Sequence, residues 1–200
     1  MAPSSDCLSI LTEENIVAGL KEMYEPEFVT YVKRKGVYGG HAFIIELAAA
    51  IGGKIEPPKN EYCFNVIRFA NKIPLLYDQY NCALYKNIMN INFKNYGIEP
   101  FEKLAFIVHM CSTKIPYKTE GKEYVSADYE EINKTILLAA QEALRKVKEY
   151  LNNKRRMVEQ TQRMNRFLLY IPYIAKNLSA LTGYKQNDLE HMFKKVLNIR

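Results

Sequence analysis

Three histidines, four cysteines and two glycine-lysine strings are the residues of this 200-residue chain whose types suit chemistry. A stand-alone enzyme shows a nucleophile with its base, a metal cluster or a phosphate cradle. None is legible here, so no catalytic residue and no metal ligand is assigned. His41, His109 and His191 lie far apart in unrelated contexts. His109, inside Ile-Val-His-Met, reads as a core histidine with satisfied hydrogen bonds. Cys7, Cys63, Cys82 and Cys111 form no Cys-x-x-Cys pair. Three of them sit in apolar stretches, where a reduced thiol behaves as a small hydrophobe.

Gly52-Gly53-Lys54 and Gly121-Lys122 look like pieces of phosphate loops, yet neither completes G-x-x-x-x-G-K-[ST] or G-x-G-x-x-G. Lys122 stands out by its placement. It lies in a Gly-containing loop directly after an apolar strand and directly before the longest helical pattern of the chain. From there an ammonium could reach a phosphate and pull on the helix through its N-terminus. The plainer reading of the same residue is a solvated loop lysine.

The elements that would position these residues follow from periodicity. Thr12 to Lys21 reads as a short helix with Thr12 as N-cap, ending before Pro26. Phe28 to Lys33 alternates as a strand. After the Gly36/Gly39/Gly40 break, Ala42 to Ile51 is apolar except for Glu46, the pattern of a buried strand. Tyr62 to Tyr77 is strand-like, interrupted by Asn71-Lys72 and by Pro74, which marks an edge or a bend. Asn81 to Asn90 has the spacing of a helix crossing back over a sheet, and Leu104 to Cys111 is the most strand-like run of all. A loop spanning Pro116 to Gly121 follows.

The remainder differs in kind. Asp128 with Glu131 resembles a capping box, and Ile132, Ile136, Ala139, Ala143, Val147 and Leu151 keep one apolar stripe. A helix from Asp128 to Tyr170 would be about 64 Å long at about 1.5 Å per residue. From Arg145 to Lys176 nine cations meet only Glu149 and Glu159, a surplus of +7 in a chain whose net charge is +6. With a pI near 9.0, that concentration favours an acidic partner such as nucleic acid. Beyond Pro172, a second apolar set (Ile174, Leu178, Leu181, Leu189, Met192, Phe193, Val196, Leu197) offers a docking surface. The expected layout is an α/β core over 1–125, a basic stalk helix over 126–171 and a C-terminal helical docking segment over 172–200. No apolar run approaches the roughly 18 residues that span a bilayer, and the first residues are no secretory signal. An intracellular chain, cytoplasmic or nuclear, with no membrane partner is expected.

Several strings together resemble one family. Ala2-Pro3-Ser4-Ser5-Asp6-Cys7-Leu8-Ser9, Gly40 to Glu46, Arg68 to Tyr77, Asn92-Phe93-Lys94-Asn95-Tyr96-Gly97, Ser112 to Tyr117 and Gly121-Lys122-Glu123 are similar, in that order, to the transducer domain of the DNA topoisomerase VI B subunit. The resemblance implies a type IIB enzyme, an A2B2 assembly in which the A subunit cleaves both DNA strands with a tyrosine and the B subunit is an ATP-operated gate. It implies an α+β fold of the ribosomal protein S5 domain 2-like kind: a β-sheet backed by helices, with a left-handed β-α-β crossover against the usual right-handed rule, and a long C-terminal helix.

By the same resemblance, ATP and Mg2+ are bound by an N-terminal GHKL domain that these 200 residues do not contain. The chain alone is expected neither to bind ATP tightly nor to hydrolyse it. Lys122 matches the switch-loop lysine that contacts the ATP γ-phosphate, and Lys114, close before Pro116, is the poorer candidate. Phe93-Lys94-Asn95-Tyr96 stands where the family has Trp-Lys-x-Tyr, an element associated with DNA contact, so Lys94 and Tyr96 become candidate DNA residues. Lys154, Arg155, Arg156 and Arg163 on the stalk would neutralise phosphates without reading bases. Ala42, where the family usually has Pro, and the Asn81-Cys82 pair are departures that read as packing changes. The implied partners are the topoisomerase VI A subunit, the GHKL portion of the B subunit, and double-stranded DNA. A non-catalytic DNA-binding or scaffold protein that kept the fold is the alternative.

Overall fold

The computed structural model describes residues 8–119 and 121–196. Five strands form one mixed sheet in the order β1-β2-β5-β3-β4, namely Phe28–Tyr38, His41–Ile51, Leu104–Ser112, Asn65–Ala70 and Ile73–Pro74. The β1/β2, β2/β5 and β3/β4 pairs are antiparallel, and β3 runs parallel to β5. A parallel neighbour requires a crossover, and the helix α2 (Ala83–Met89) supplies it. The expected α+β sheet with its β-α-β unit is present.

The two central strands are buried on both faces, which is why each reads as a nearly unbroken apolar run. Phe43, Ile45, Leu47 and Ala49 of β2 join Leu104, Phe106, Val108 and Met110 of β5 on one face, under Leu84 and Ile88 of α2. The long helix α3 opens at Glu130 and packs Ile132, Ile136, Ala139, Ala143, Val147 and Leu151 into the same layer. On the opposite face Ala48, Ala50, Ala105 and Ile107 meet Ile16 and Leu20 of α1 (Glu13–Tyr24). The first unit is therefore three-layered, with α1, then the sheet, then α2 and α3.

The first strand does not stop at Lys33; it continues through Gly36 to Tyr38. Gly36 pairs with Phe43, and a Cβ added there would lie 2.3 Å from the Phe43 ring. The glycine makes room for a core aromatic rather than marking a break. Pro74 does sit in a two-residue edge strand, where its missing N–H leaves no ladder bond unmade. Thr12 makes no side-chain cap on α1, and Asp128 does not cap α3, whose first residue is Glu130.

The chain divides into two compact units, meeting in sequence at Leu151 and Asn152. In the second, α3 continues to Thr182 with Pro172 inside it, so the helix does not end where a proline rule would stop it. Pro172 lacks the N–H that would bond the Leu168 carbonyl, a local cost of about 3 kcal/mol. Ile171 and Ala175 on either side of it are buried. Gly183, at φ 75°, closes the helix with its N–H on the Ser179 carbonyl at 2.9 Å, and α4 spans Gln186–Val196. Of the apolar residues expected to dock a partner, Ile174, Leu181, Met192 and Val196 are exposed. Leu197 lies outside the described residues, as do Ala2 to Cys7. No described helix is long and apolar enough to cross a membrane.

Candidate functional site

The loop that leaves β5 is tied at several points. Tyr117 and Val125 form a β-bridge, and the Ser126 N–H donates to the Pro116 carbonyl at 2.7 Å. The Ala83 N–H at the start of α2 donates to the Val125 carbonyl at 2.9 Å. Asp128, two residues ahead of α3, accepts from the Lys118 ammonium and the Ser126 hydroxyl, each at 2.7 Å. Their mutual attraction raises the Lys118 pKa and, with the Ser126 bond, lowers that of Asp128. Within this frame Lys122 sits at φ 54°, with its N–H on the Thr119 carbonyl at 3.1 Å. Its side chain is exposed and meets no carboxylate among the described residues. Among the described residues the loop thus offers an ammonium with no carboxylate partner, its two limbs are tied to each other, and its returning limb is bonded to the start of α2 and runs into α3.

Behind the sheet, Glu46 and His109 face each other fully buried across β2 and β5. The Glu46 carboxylate accepts four bonds: from the His109 Nδ1–H at 2.7 Å, the Tyr31 hydroxyl at 2.6 Å, and the N–H groups of Leu11 and Thr12 at 2.8 and 3.1 Å. His109 Nε2 accepts from the Lys72 N–H at 3.1 Å, which fixes the neutral tautomer with the proton on Nδ1. Burial pushes the Glu46 carboxyl up, but the bonds from His109, Tyr31 and Leu11 outweigh it and bring it down to about 2. Burial and the Glu46 contact raise the Tyr31 phenol. This network ties the segment leading into α1 to the sheet, because Glu46 accepts from the backbone N–H groups of Leu11 and Thr12. His109 is a satisfied core histidine, as its context predicts.

Phe93–Tyr96 forms a 3-10 turn started by Asn92, whose side chain accepts from the Lys94 N–H. Phe93 is buried against Phe64, at 4.9 Å between ring centroids, and stacks on Tyr62 at 6.0 Å. Tyr96 is half-buried on the same core, and Lys94 is exposed. The turn packs through Phe93 against Phe106, near the start of β5, whereas the Lys122 loop follows the other end of this nine-residue strand, which is about 28 Å long. No recorded hydrogen bond or ion pair among the described residues joins Lys94 to Lys122, and their elements attach to opposite ends of β5. Lys154, Arg155, Arg156 and Arg163 are exposed and belong to the second unit.

Four residues take roles that their sequence context did not indicate. Arg68 is buried and donates to the Leu75 and Tyr77 carbonyls at 2.9 and 3.3 Å, holding a segment whose Leu76 and Tyr77 side chains are exposed. Lys118 and Asp128 fasten the Lys122 loop, and Lys148 donates to the Asn95 carbonyl at 2.9 Å. Cys82 is a buried thiol, Cys111 is buried with its Sγ 3.2 Å from the Ser9 carbonyl, and Cys63 is half-buried 3.3 Å from the Tyr85 hydroxyl. No group of three or more His, Cys, Asp or Glu among the described residues is placed to hold a metal.

A five-stranded mixed sheet with helices on both faces, followed by a long helix, defines an α+β fold of the transducer kind. The family model described as the topoisomerase VI B subunit transducer matches residues 3–163, and the chain belongs to that family. It is 40% identical over 190 residues to the type 2 DNA topoisomerase 6 B subunit of Saccharolobus islandicus, covering 94% of this chain and 35% of that protein. The Sulfurisphaera tokodaii protein of the same description is 42% identical over 180 residues, covering 88% and 33%. The chain thus spans about a third of the length of these curated relatives. Among solved structures, the 43K ATPase domain of Thermus thermophilus gyrase B aligns at 15% identity and a TM-score of 0.43, over 76% of this chain and 45% of that one.

Proposed function

We propose that this chain is the transducer part of a type IIB DNA topoisomerase. It relays ATP binding and hydrolysis in a GHKL portion of the B subunit to double-strand cleavage and strand passage by the A2B2 enzyme. The observation that carries the reading is the tying of the Lys122 loop, through Lys118 and Ser126, to Asp128 two residues ahead of α3. A force on Lys122 acts on the helix instead of dissipating in a slack loop. The described residues offer an ammonium suited to a terminal phosphate but no carboxylate or histidine cluster for Mg2+. Lys122 would therefore meet the γ-phosphate of a nucleotide held by the GHKL portion. The charge-assisted bond, about 1.5–3 kcal/mol, exists with ATP and is lost with ADP. A contact that differs between nucleotide states by that amount shifts a two-state equilibrium roughly ten- to hundredfold. Lys94, Tyr96 and the stalk cations Lys154, Arg155, Arg156 and Arg163 would contact duplex DNA, and the apolar surface beyond Pro172 would seat the A subunit. In this reading the chain alone hydrolyses no ATP and cuts no DNA.

The test is reconstitution with a GHKL portion and the A subunit. Lys122→Ala should abolish ATP-dependent relaxation of supercoiled DNA while the assembly still co-elutes. Unchanged relaxation and ATP turnover would remove Lys122 from the relay. If the unaltered chain forms no complex and supports no ATP-dependent cleavage, a non-catalytic DNA-binding or scaffold role replaces the proposal.

A further inference from the structure

The sheet ladder ends unevenly at the root of the Lys122 loop. β3 pairs with β5 as far as Ala70 opposite Met110, while β5 runs on to Ser112. Asn71 covers the difference. Its backbone N–H donates to the Met110 carbonyl at 2.9 Å. Its side-chain amide then spans Ser112: Nδ2–H donates to the Ser112 carbonyl at 2.9 Å, and Oδ1 accepts from the Ser112 N–H at 3.0 Å. An amide with a donor and an acceptor side by side reproduces what a neighbouring strand offers, so the side chain extends the ladder where the backbone has already turned away. The turn itself has Asn71 at φ 47° and Lys72 at φ 68°, and asparagine enters this left-handed region more readily than most residues. Glycine would serve the turn as well, but it makes no bonds to Ser112.

Ser112 is buried, and a buried peptide group without partners is costly. Its hydroxyl donates to the Ala42 carbonyl at 2.9 Å and accepts from the Lys114 N–H at 3.3 Å. The next residue, Thr113, has its Oγ1 3.3 Å from His41 Nδ1. The root is thus held from the β2 side by His41 and Ala42, and from the β3 side by Asn71. Farther out, the Tyr117–Val125 bridge and the Lys118–Asp128 pair bind the outgoing limb to the returning one. They stiffen the loop, whereas the bonds at Ser112 set how its outgoing limb leaves the sheet.

We infer that Asn71 is a positioning residue for Lys122: by clamping Ser112 it fixes the direction in which the loop departs, and with it the place where the Lys122 ammonium meets a terminal phosphate. The inference rests on the reading of Lys122 as the γ-phosphate contact and adds to it a residue on a different element. Releasing the clamp lowers the fraction of chains whose loop is in the competent arrangement, and the apparent affinity falls with that fraction. Two neutral hydrogen bonds correspond to about tenfold in such an equilibrium. The loss falls on a nucleotide that carries a γ-phosphate and spares one that lacks it, because the terminal phosphate is the group Lys122 contacts.

The experiment uses Asn71→Gly, which keeps the left-handed turn and removes the amide, and Asn71→Asp, which keeps the acceptor and loses the donor. Asn71 is exposed, so neither change opens a cavity in the core, and a thermal melt checks that each variant is folded. Hydrogen exchange read by mass spectrometry on the full 200-residue chain follows peptides covering Ser112 to Lys118. Binding of a non-hydrolysable ATP analogue and of ADP is then measured on the chain reconstituted with a GHKL portion and the A subunit, with Lys122→Ala alongside. Asn71→Gly should speed exchange of those peptides about tenfold, weaken binding of the analogue by up to about tenfold and leave ADP binding unchanged. Asn71→Asp should move exchange and analogue binding in the same direction. Unchanged exchange, or unchanged analogue binding where Lys122→Ala weakens it, would overturn the positioning role and leave the Lys122 contact standing. Equal losses for the analogue and ADP would make Asn71 a general structural residue and would overturn it too. Analogue binding that Lys122→Ala does not alter would remove the γ-phosphate contact itself, and the positioning role with it, whatever the exchange shows.

Discussion

Replacing Glu46 by Gln is the sharpest test of how the first unit is held together. The carboxylate accepts four donors, two on each oxygen: Leu11 N–H and His109 Nδ1–H on one, Thr12 N–H and the Tyr31 hydroxyl on the other. A glutamine amide keeps one acceptor oxygen and turns the other position into a donor. Wherever the NH2 points, it confronts one of the two backbone N–H groups, that of Leu11 or that of Thr12. The folded-state pKa of Glu46, about 2, lies below its ordinary 4.5, a difference equivalent to about 3 kcal/mol. The sign follows from the direction. A depressed carboxyl contributes stability that is fully present above about pH 4.5 and is lost as the pH falls towards 2. Unfolding of the first unit by urea, followed by circular dichroism at pH 7 and again down to pH 3, measures both quantities. Glu46→Gln should lose about 3 kcal/mol at pH 7, or about 6–12 °C in melting temperature for a domain of this size. It should also lose most of the pH dependence between 4.5 and 3. A variant within 1 kcal/mol of the original chain, or one with the original acid sensitivity, would mean that the four bonds do not stabilise the charge as described.

Two further outcomes can be measured on the same material. Gly36→Ala drives a methyl into the Phe43 ring and should cost about 1–3 kcal/mol by overpacking; an unchanged melt would return Gly36 to an ordinary strand position. On the stalk, Arg155→Glu combined with Arg156→Glu should weaken duplex binding and lower the salt slope by about 2, and an unaltered slope would make those arginines a solvated face.

Much of the sheet was readable because its signal is local. A strand buried on both faces must be apolar throughout, so Ala42 to Ile51 and Leu104 to Cys111 announce themselves, and the edge position of Pro74 follows from its missing donor. Gly36 misled because a glycine that admits a neighbour's ring looks the same in sequence as one that breaks a strand; the deciding partner, Phe43, appears only once the register is set. Glu46 looked like an isolated exception in an apolar run. Its partners at residues 11, 12, 31 and 109 come from separate segments that only the folded sheet brings together. Lys122 could be singled out from its place between strand and helix, but the Lys118 and Asp128 contact that fastens its loop is a product of the fold, as is the bond from Lys148 to Asn95 across 53 residues. Pro172 failed as a stop signal because its penalty is local and small against the helix on both sides of it.

The strand order has a consequence for how the chain is made. One edge of β2 pairs with β1 at once through a short hairpin, but its other edge waits for β5, which begins more than fifty residues later in the sequence. At about 5–20 residues per second of synthesis, that edge stays open for several seconds in the growing polypeptide. It presents Ala42 to Ile51, a window with the apolar, strand-forming composition of an aggregation hot spot. Glu46 is the only charge within it. Before His109 exists to meet it, the residue that later anchors the finished fold is solvated and ionised in the middle of the exposed edge, where a charge discourages pairing with another nascent chain. Synthesis of β5 then removes that protection and the need for it in the same step.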